Sequence, residues 1–413
     1  MHLLSFMVVF GRFSAILAKV IPQLSTLLKR IIWTIWSKTE FNSDIIVNTP
    51  EMIRKAGYPV ETHVIKTEDG YLLTLHRIPG GNDSLPVLLL HGFTSNSSKW
   101  LIPGKDKAFP YLLANQGYDV WLGNFRGTTY SKAHISLSPS NPAFWDFSFH
   151  EIGIYDVSAM VTFITNLRSQ PLHTCIGHSM GTTCFYIMAS ERPEIARMVK
   201  MMINFGPVVF LNHMQSPIRF LVPIRRMIKI LRLFFHGEFL QSDFVRFLLK
   251  NICDQNIAGK ICYNIMSVIW GDDREQFNYT LQPIILSDFL DGVSVKAMEH
   301  YVQEIHSGKF RKYDYGRARN QLIYNSAEPP DYNLANITIP SALFYGSGDL
   351  LVNIVDVKRL YRILPNVVDM YEVPWPKFNH LDFIWAKDAP KLVYERAFKL
   401  MKNTNLNNVI SIG

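Results

Sequence analysis

The chain has 413 residues, of which 48% are hydrophobic and 13% aromatic, so it can bury a large core and is not a long disordered polypeptide. Lysine and arginine outnumber aspartate and glutamate by 42 to 34, which gives a net charge of +8 with neutral histidines. No basic cluster is interleaved with aromatic residues as in a nucleic-acid groove, so we predict no nucleic-acid partner. The cysteines and histidines show no metal-ligand spacing, so we also predict no metal site.

Residues 1–43 differ in character from the rest of the chain. Apolar blocks run from Leu3 to Trp36 and are interrupted by basic residues such as Arg12. None reaches the roughly eighteen uninterrupted apolar residues of a transmembrane helix. The segment is either a signal peptide cleaved near Ala18 or an uncleaved segment that associates with a membrane surface. Both readings favour entry into the secretory pathway over a cytosolic location, with a secreted or lysosomal destination.

Sequons of the form Asn-x-Ser/Thr agree with secretory entry. They occur at Asn82, Asn96, Asn278 and Asn336. Asn96 lies beside a candidate active-site loop, where a glycan would be sterically unfavourable. The candidate glycosylation sites are therefore Asn82, Asn278 and Asn336.

From about residue 44 the chain alternates between strand-like and helix-like segments. The first two strand candidates flank the turn Asp69-Gly70, as in an antiparallel hairpin. The later ones are short apolar runs separated by helical patterns, which is typical of buried parallel strands. The candidates are His63–Thr67, Tyr71–Arg77, Val87–Leu90, Tyr118–Leu122, His173–Gly177, Met201–Phe205, Ala342–Tyr345 and Val368–Val373. The pattern predicts an α/β fold with a mostly parallel central sheet and flanking helices.

A serine within this alternation stands in a distinctive setting. Gly177-His178-Ser179-Met180-Gly181 follows a β-prone apolar run and precedes a helical pattern. Gly-x-Ser-x-Gly in that context predicts a nucleophile elbow, a tight strand-to-helix turn that exposes the serine hydroxyl. A side chain at either glycine would collide where strand and helix cross. The pattern is short enough to occur by chance, so the assignment of Ser179 as nucleophile depends on finding its partners.

A serine nucleophile needs a base and an orienting carboxylate, and the elbow is associated with the chain order Ser, Asp, His. Asp349 follows a buried strand candidate and its turn, on the rim where open α/β sheets place their sites. His380 follows the next strand candidate. We predict Asp349 as the orienting acid and His380 as the general base. Two other histidines, His178 and His91, are better explained as packing and loop-bracing residues. Asp382 is a weaker rival to Asp349, because it follows the base and lacks the strand-end position.

The oxyanion donors are predicted from two backbone positions. An apolar strand candidate ends in His91-Gly92-Phe93, the position of the loop that supplies one donor in such folds. The other donor is the residue after the nucleophile. We predict that the backbone N–H groups of Phe93 and Met180 stabilise the tetrahedral intermediate.

The alternation of strands and helices stops between residues 207 and 340, a block too long for one connection. Within it, 217–250 mixes apolar and basic residues at helical spacing. This stretch is either a basic amphipathic helix packed on its own domain or part of a cap that covers the site and meets lipid. We divide the chain accordingly. The segments are an α/β core of 44–206 and 341–400, an inserted cap or lid domain at 207–340, and a tail at 401–413.

Several longer segments carry a family likeness. They are Glu51-Met52-Ile53 with Gly57-Tyr58-Pro59, Thr67-Glu68-Asp69-Gly70-Tyr71, Tyr118-Asp119-Val120-Trp121-Leu122-Gly123-Asn124, Ser307-Gly308 with Tyr313-Asp314-Tyr315-Gly316, and Asn379-His380-Leu381-Asp382-Phe383-Ile384-Trp385. In these segments the chain resembles the acid lipase family, the gastric and lysosomal acid lipases and their insect relatives within the α/β-hydrolases. The likeness runs from about Asp44 to Ala397.

The resemblance implies a carboxyl ester hydrolase that acts on triacylglycerols or sterol esters at an oil–water or membrane interface, without a cofactor. It places the nucleophile, acid and base on Ser179, Asp349 and His380, and the oxyanion donors on Phe93 and Met180. Other readings stay open. These are an acyltransferase or a short-ester esterase using the same triad, and a non-catalytic lipid carrier, against which the intact triad argues.

The resemblance also implies a disulfide between Cys253 and Cys262. The chain departs from the family pattern near the site. Met180 stands where glutamine is common, Phe93 where leucine is usual, and Phe125 where a small residue is usual. We expect these bulkier groups to influence the acyl or alcohol specificity.

Overall fold

The computed structural model describes residues 48–223, 237–239, 256–288 and 291–410. The N-terminal segment, most of the basic stretch at 217–250, and Cys253 lie outside these residues, so the predictions that concern them stay predictions. Within the described ranges, no helix has both the length and the apolar character needed to cross a bilayer.

A nine-stranded mixed sheet forms the centre of the described chain. Its order is β1-β2-β4-β3-β6-β7-β10-β11, with β5 against β2, and β8 pairs separately with β9. The strands are β1 (Glu61–Lys66), β2 (Tyr71–Ile78), β3 (Pro86–Leu90), β4 (Asp119–Gly123), β5 (Ala133–His134), β6 (Thr174–His178), β7 (Met202–Phe205), β8 (Glu238–Phe239), β9 (Val293–Ser294), β10 (Ser341–Tyr345) and β11 (Val367–Glu372). β2 pairs antiparallel with β1 and β4, and the pairs from β4 to β11 are parallel. The predicted α/β fold with its mostly parallel sheet is confirmed.

The sheet is the middle layer of three, with helices on both faces, and its central strands are buried throughout. Every residue of β3, β6 and β10 is buried. Successive side chains of a strand point to opposite faces. In β3, accordingly, Leu88 and Leu90 enter one hydrophobic cluster, while Val87 and Leu89 enter the other. Both faces are covered, so the strands read as continuous apolar runs.

Helices pack on the two faces and build the connections. They are α1 (Thr49–Lys55), α2 (Phe109–Asn115), α3 (Phe149–Glu151), α4 (Ser158–Arg168), α5 (Met180–Glu191), α6 (Pro193–Ala196), α7 (Asn256–Trp270), α8 (Gln282–Asp288), α9 (Val295–Ser307), α10 (Arg317–Tyr324), α11 (Ile354–Ile363), α12 (Asp382–Trp385) and α13 (Glu395–Ile410). A π-helical segment, Ile152–Val157, joins α3 to α4, and another, Pro390–Tyr394, precedes α13.

Between β7 and β10 the chain leaves the main sheet. The described part of this block includes a 3-10 turn, Pro217–Leu221, and the helices α7 to α10. Its two short strands, β8 and β9, pair antiparallel with each other in a sheet of their own. Ser294 caps α9 by accepting the N–H of Ala297, and Gly308 ends it in the left-handed conformation. We call residues 206–340 the inserted block.

Candidate active site

Ser179 lies in the turn between β6 and α5. Its φ of 54° is in the left-handed region, which non-glycine residues rarely adopt. The turn is tight enough to require both glycines. A Cβ at Gly181 would lie 2.4 Å from the carbonyl oxygen of Leu90, and one at Gly177 would lie 2.9 Å from the backbone nitrogen of Thr182. The elbow therefore brings Ser179 to the wall of a cavity.

Asp349 and His380 meet at the carboxyl ends of the neighbouring strands. Asp349 follows β10 and His380 follows β11. The His380 Nδ1 atom lies 2.8 Å from Asp349 Oδ2. The other carboxylate oxygen accepts the backbone N–H groups of Leu351 and Val352 at 2.8 and 2.9 Å. These bonds fix the carboxylate and direct the Nδ1–H of the imidazole toward it.

His380 lines the same cavity as Ser179. Within the described part of the chain, the buried Nε2 atom has no hydrogen-bond partner. Two features beside the sheet hold the ring. The carbonyl of Trp270, at the end of α7, accepts the His380 N–H at 3.3 Å. A Cβ at Gly206 would lie 3.1 Å from the ring. The geometry leaves Nε2 as the nitrogen that can take up a proton.

The other two histidines near the elbow brace loops. His178 donates from Nε2 to the His380 carbonyl at 2.9 Å. His91 accepts the N–H of Phe125 at 3.1 Å, and its Nδ1 lies 2.9 Å from the Gly92 carbonyl. Burial lowers the pKa of His178 to about 3 and that of His91 to about 4. Both rings are neutral near pH 7 and occupied with backbone groups.

Asp382 has a bracing contact too. Its Oδ2 accepts the N–H of Asn379 at 2.7 Å, which closes the turn that carries His380. Burial raises the pKa of Asp382 well above its ordinary value. The carboxylate bonded to the imidazole is that of Asp349. The geometry thus favours Asp349 over Asp382 as the partner of His380.

The two predicted oxyanion donors flank Ser179. Met180 is the first residue of α5, where backbone N–H groups have no acceptor within the helix. On the other side, Gly92 and Phe93 line the cavity with Ser179. A Cβ at Gly92 would lie 3.2 Å from the Ser179 Cβ, so the loop passes in contact with the nucleophile.

The cavity has a volume of about 380 Å³ and is lined mainly by apolar side chains. Much of its wall comes from the inserted block. Helix α9 contributes Met298, Tyr301, Val302 and Ile305, whose spacing of three and four places them on one helical face. These four residues were not among the predicted site residues, although their spacing along the sequence was the available signal. The wall can accommodate an acyl chain.

Of the three bulky residues expected to shape specificity, Phe93 lines the cavity. Phe125 is instead buried behind the loop, with its ring 4.6 Å from that of His91. The Met180 side chain is buried in the hydrophobic core. Lys99 is a further cavity residue and is buried, which the sequence could not indicate because lysine is usually exposed.

The remaining predictions concern the cysteines and metal binding. Cys262 in α7 is disulfide-bonded, but its predicted partner Cys253 lies outside the described residues. Cys175 and Cys184 are buried free thiols. The described ranges contain no group of three or more His, Cys, Asp or Glu side chains arranged to hold a metal ion.

Comparisons with known proteins identify the family. A model described as a partial alpha/beta-hydrolase lipase region matches residues 49–104, and one described as the alpha/beta hydrolase fold matches 86–232. Lipase 3 of Drosophila melanogaster is 40% identical over 363 residues, which cover 86% of this chain and 92% of the relative. The chain belongs to the acid lipase family of α/β-hydrolases. This confirms the resemblance and makes the chain an ester hydrolase.

Two human members of the acid lipase family are also similar. Gastric triacylglycerol lipase is 36% identical over 362 residues, with 85% of this chain and 90% of the relative covered. Lysosomal acid lipase/cholesteryl ester hydrolase is 35% identical over 387 residues, with 90% and 96% covered. Among solved structures, a soluble variant of monoglyceride lipase from Saccharomyces cerevisiae aligns with a TM-score of 0.51 at 16% identity, over 84% of this chain and 98% of that one. This last likeness concerns the fold.

Proposed function

We propose that this acid lipase family member hydrolyses neutral lipid esters, such as triacylglycerols or sterol esters, through Ser179, His380 and Asp349. The observation that carries the proposal is that His380, bonded to Asp349, lines the same apolar cavity as a serine in a strained elbow. Two relatives bear names of matching chemistry, a triacylglycerol lipase and a cholesteryl ester hydrolase.

The first chemical step acylates the serine. The Ser179 hydroxyl oxygen attacks the ester carbonyl while His380 Nε2 takes its proton, and Asp349 stabilises the resulting imidazolium. The backbone N–H groups of Phe93 and Met180 donate to the oxygen that becomes negative. One such donor contributes about 3–4 kcal/mol of transition-state stabilisation. His380 then gives the proton to the leaving alcohol.

The second step releases the acid. Water enters as the alcohol leaves, and His380 removes its proton so that it attacks the acyl-enzyme carbonyl. The same two N–H groups stabilise the second tetrahedral intermediate. Ser179 departs with the proton held by His380, and the fatty acid leaves the cavity.

We further propose that the inserted block acts as a cap over the site. Its described residues already form part of the cavity wall, from Ile218 and Leu221 in the 3-10 turn to the apolar face of α9. The basic, apolar stretch at 217–250 would bring positive charge and apolar side chains to a lipid interface.

The disulfide and the exposure of the candidate glycosylation sites support entry into the secretory pathway. Disulfides persist in oxidising compartments, and Cys262 is disulfide-bonded. We propose Cys253 as its partner. Two of the candidate glycosylation sites, Asn82 and Asn336, are exposed, and Asn278 is partly exposed. We propose a secreted or lysosomal protein on this basis, with one relative named for the lysosome.

The proposal is tested by hydrolysis of emulsified trioleoylglycerol and cholesteryl oleate. Ser179→Ala should abolish fatty-acid release and fluorophosphonate labelling. Ser190→Ala is the matched control, since this serine lies near the end of the same helix, where its hydroxyl accepts the Asn333 N–H at the protein surface. Ser190→Ala should behave as the wild type. Activity retained by Ser179→Ala would overturn the assignment.

Further assays of the wild-type protein distinguish a lipase from the three alternative functions. An acyltransferase would transfer the acyl group to added alcohols in preference to water, and a short-ester esterase would cleave tributyrin but not trioleoylglycerol. A lipid carrier would bind the ester yet leave Ser179 unlabelled in folded protein. Hydrolysis of long-chain esters with labelling at Ser179 is the result we expect.

A further inference from the structure

The loop that carries Phe93 contains a second strained residue. Thr94 has a φ of 50°, in the left-handed region, where a β-branched side chain is a genuine outlier. Such a conformation is unfavourable for a threonine and persists only where the surroundings hold it. Thr94 directly follows the proposed oxyanion donor, so whatever holds Thr94 also orients that donor.

Two groups hold the Thr94 carbonyl. The backbone N–H of Asp291 donates to it at 3.1 Å, and Lys99 Nζ donates to it at 2.5 Å. Lys99 belongs to the same loop, whereas Asp291 belongs to the inserted block. Residues far apart in sequence thus meet at the strained position.

The Asp291 side chain ties the same loop a second time. Its Oδ2 accepts a hydrogen bond from Asn96 Nδ2. The amide oxygen of Asn96 in turn accepts the Ser98 N–H at 2.8 Å. On its other side, Asp291 Oδ1 accepts the N–H and the hydroxyl of Thr129, each at 2.8 Å. Asp291 is only 1% exposed, so water cannot readily replace these bonds.

The segment that starts at Asp291 also reaches Phe93 directly. β9 and α9 follow within a few residues. From α9, the Tyr301 ring packs edge-on against the Phe93 ring, with centroids 5.7 Å apart. The oxyanion loop is therefore fastened to this part of the inserted block at Phe93, Thr94 and Asn96.

We propose that Asp291 is a positioning residue of the oxyanion site, which orients the Phe93–Thr94 backbone through its own N–H and through Asn96. The inference rests on the proposed function, in which Phe93 is a donor. A donor must lie about 2.7–3.1 Å from the developing oxyanion to be effective. A displaced loop weakens binding of the tetrahedral intermediate but leaves the apolar cavity for the ester. The signature is a lower kcat with little change in KM.

The test reverses the polarity of one hydrogen bond. In Asp291→Asn, the amide oxygen stays with the two Thr129 donors, so its NH2 group opposes the NH2 group of Asn96. In Asn96→Asp alone, two carboxylates face each other. In the double variant, the new amide at position 291 donates to the new carboxylate at position 96. That carboxylate can still accept the Ser98 N–H, so the tie is rebuilt with the same net charge.

Turnover of p-nitrophenyl butyrate is measured per active serine, counted by fluorophosphonate titration. We expect kcat to fall about tenfold to a hundredfold in each single variant, since a displacement of about 1 Å can cost a hundredfold. KM should stay within about twofold of wild type, as a transition-state effect leaves ground-state binding largely unchanged. The double variant should recover to within about threefold of the wild-type kcat, because the bond is restored.

Asp119→Asn is the matched control for losing a buried carboxylate. Asp119 is fully buried and accepts hydrogen bonds from Arg77 Nε and Trp121 Nε1, each at 2.8 Å. It is the first residue of β4, at the edge of the sheet opposite the site. The Asp119→Asn variant should lower the thermal midpoint but not kcat per labelled serine. The inference is overturned if Asp291→Asn behaves like this control, with a lower thermal midpoint and an unchanged kcat, or if the double variant does not recover kcat. A wild-type chain without labelling or turnover would instead refute the proposed function.

Discussion

Asp349→Asn is expected to lower kcat about ten-thousandfold while the fold stays intact. The carboxylate is held from two sides: Leu351 and Val352 donate backbone N–H groups to Oδ1, and His380 donates to Oδ2. Asparagine has nearly the same shape but a single acceptor oxygen. The two backbone N–H groups and the imidazole N–H compete for this single oxygen. Because the backbone donors are two and are fixed, the oxygen stays with them and the NH2 group of the asparagine faces the imidazole.

That orientation reverses the imidazole tautomer. Nδ1 of His380 must then accept a hydrogen bond, and its proton moves to Nε2. A protonated Nε2 cannot take the proton of Ser179, so general-base catalysis is lost. In a serine protease triad the same change costs about 10⁴ in kcat, which corresponds to about 5.5 kcal/mol in the barrier.

The assay is hydrolysis of p-nitrophenyl butyrate, with thermal unfolding recorded to show that the variant is folded. Asp382→Asn is the matched control, because this buried carboxylate lies two residues after His380 and bonds the Asn379 N–H instead of the ring. It should change kcat by less than about tenfold, since it removes no group from the triad. The reasoning is refuted if Asp349→Asn keeps a tenth of wild-type activity, or if both variants lose activity equally.

Three further predictions concern stability and specificity. Burial raises the pKa of Glu304 well above its ordinary 4.5, because it disfavours the ionised carboxylate. The neutral carboxyl group costs no stability below pH 4.5, but the folded state loses stability as the pH rises from 4.5 toward the raised pKa of the folded protein. Glu304→Gln should therefore raise the thermal midpoint more at pH 7 than at pH 4, and equal shifts would contradict this. Ile305→Trp narrows the cavity and should lower kcat/KM about tenfold or more for trioleoylglycerol, but little for p-nitrophenyl acetate. Cys262→Ser should lower the unfolding free energy by about 2–4 kcal/mol; Cys253→Ser should match it, and the double variant should add nothing if the two are paired.

The sequence was informative wherever local composition decides the structure. The predicted strand at Val87–Leu90 is observed as Pro86–Leu90, and that at Met201–Phe205 as Met202–Phe205. Strands buried on both faces are apolar throughout, so their limits are visible without knowledge of the fold. The steric need for glycine was equally local at Gly177, where a Cβ would meet the Thr182 backbone, whereas at Gly181 the clash is with Leu90 of the neighbouring strand β3.

The cavity and the loop ties were not predictable in this way. Lys99 and Asp291 are charged residues that composition alone would place on the surface, yet both are buried. Their burial depends on partners far along the chain, such as Thr129 for Asp291. Phe125 was expected to influence specificity because it is bulky where the family usually has a small residue, but long-range packing places its ring against His91.

The proposed triad and the oxyanion loop depend on different parts of this chain. Asp349 and His380 follow neighbouring strands of the main sheet, whose carboxyl ends bring them together. Phe93 instead contacts Tyr301 of α9, the helix that also forms the cavity wall. A substitution of Tyr301 that reshapes the cavity for another acyl chain therefore also acts on the oxyanion loop, whereas Ile305, which lines the cavity from the same helix, has no such ring contact. Acyl specificity and kcat are coupled through the Tyr301 side chain, and the contact between acid and base is made elsewhere, by Asp349 and His380.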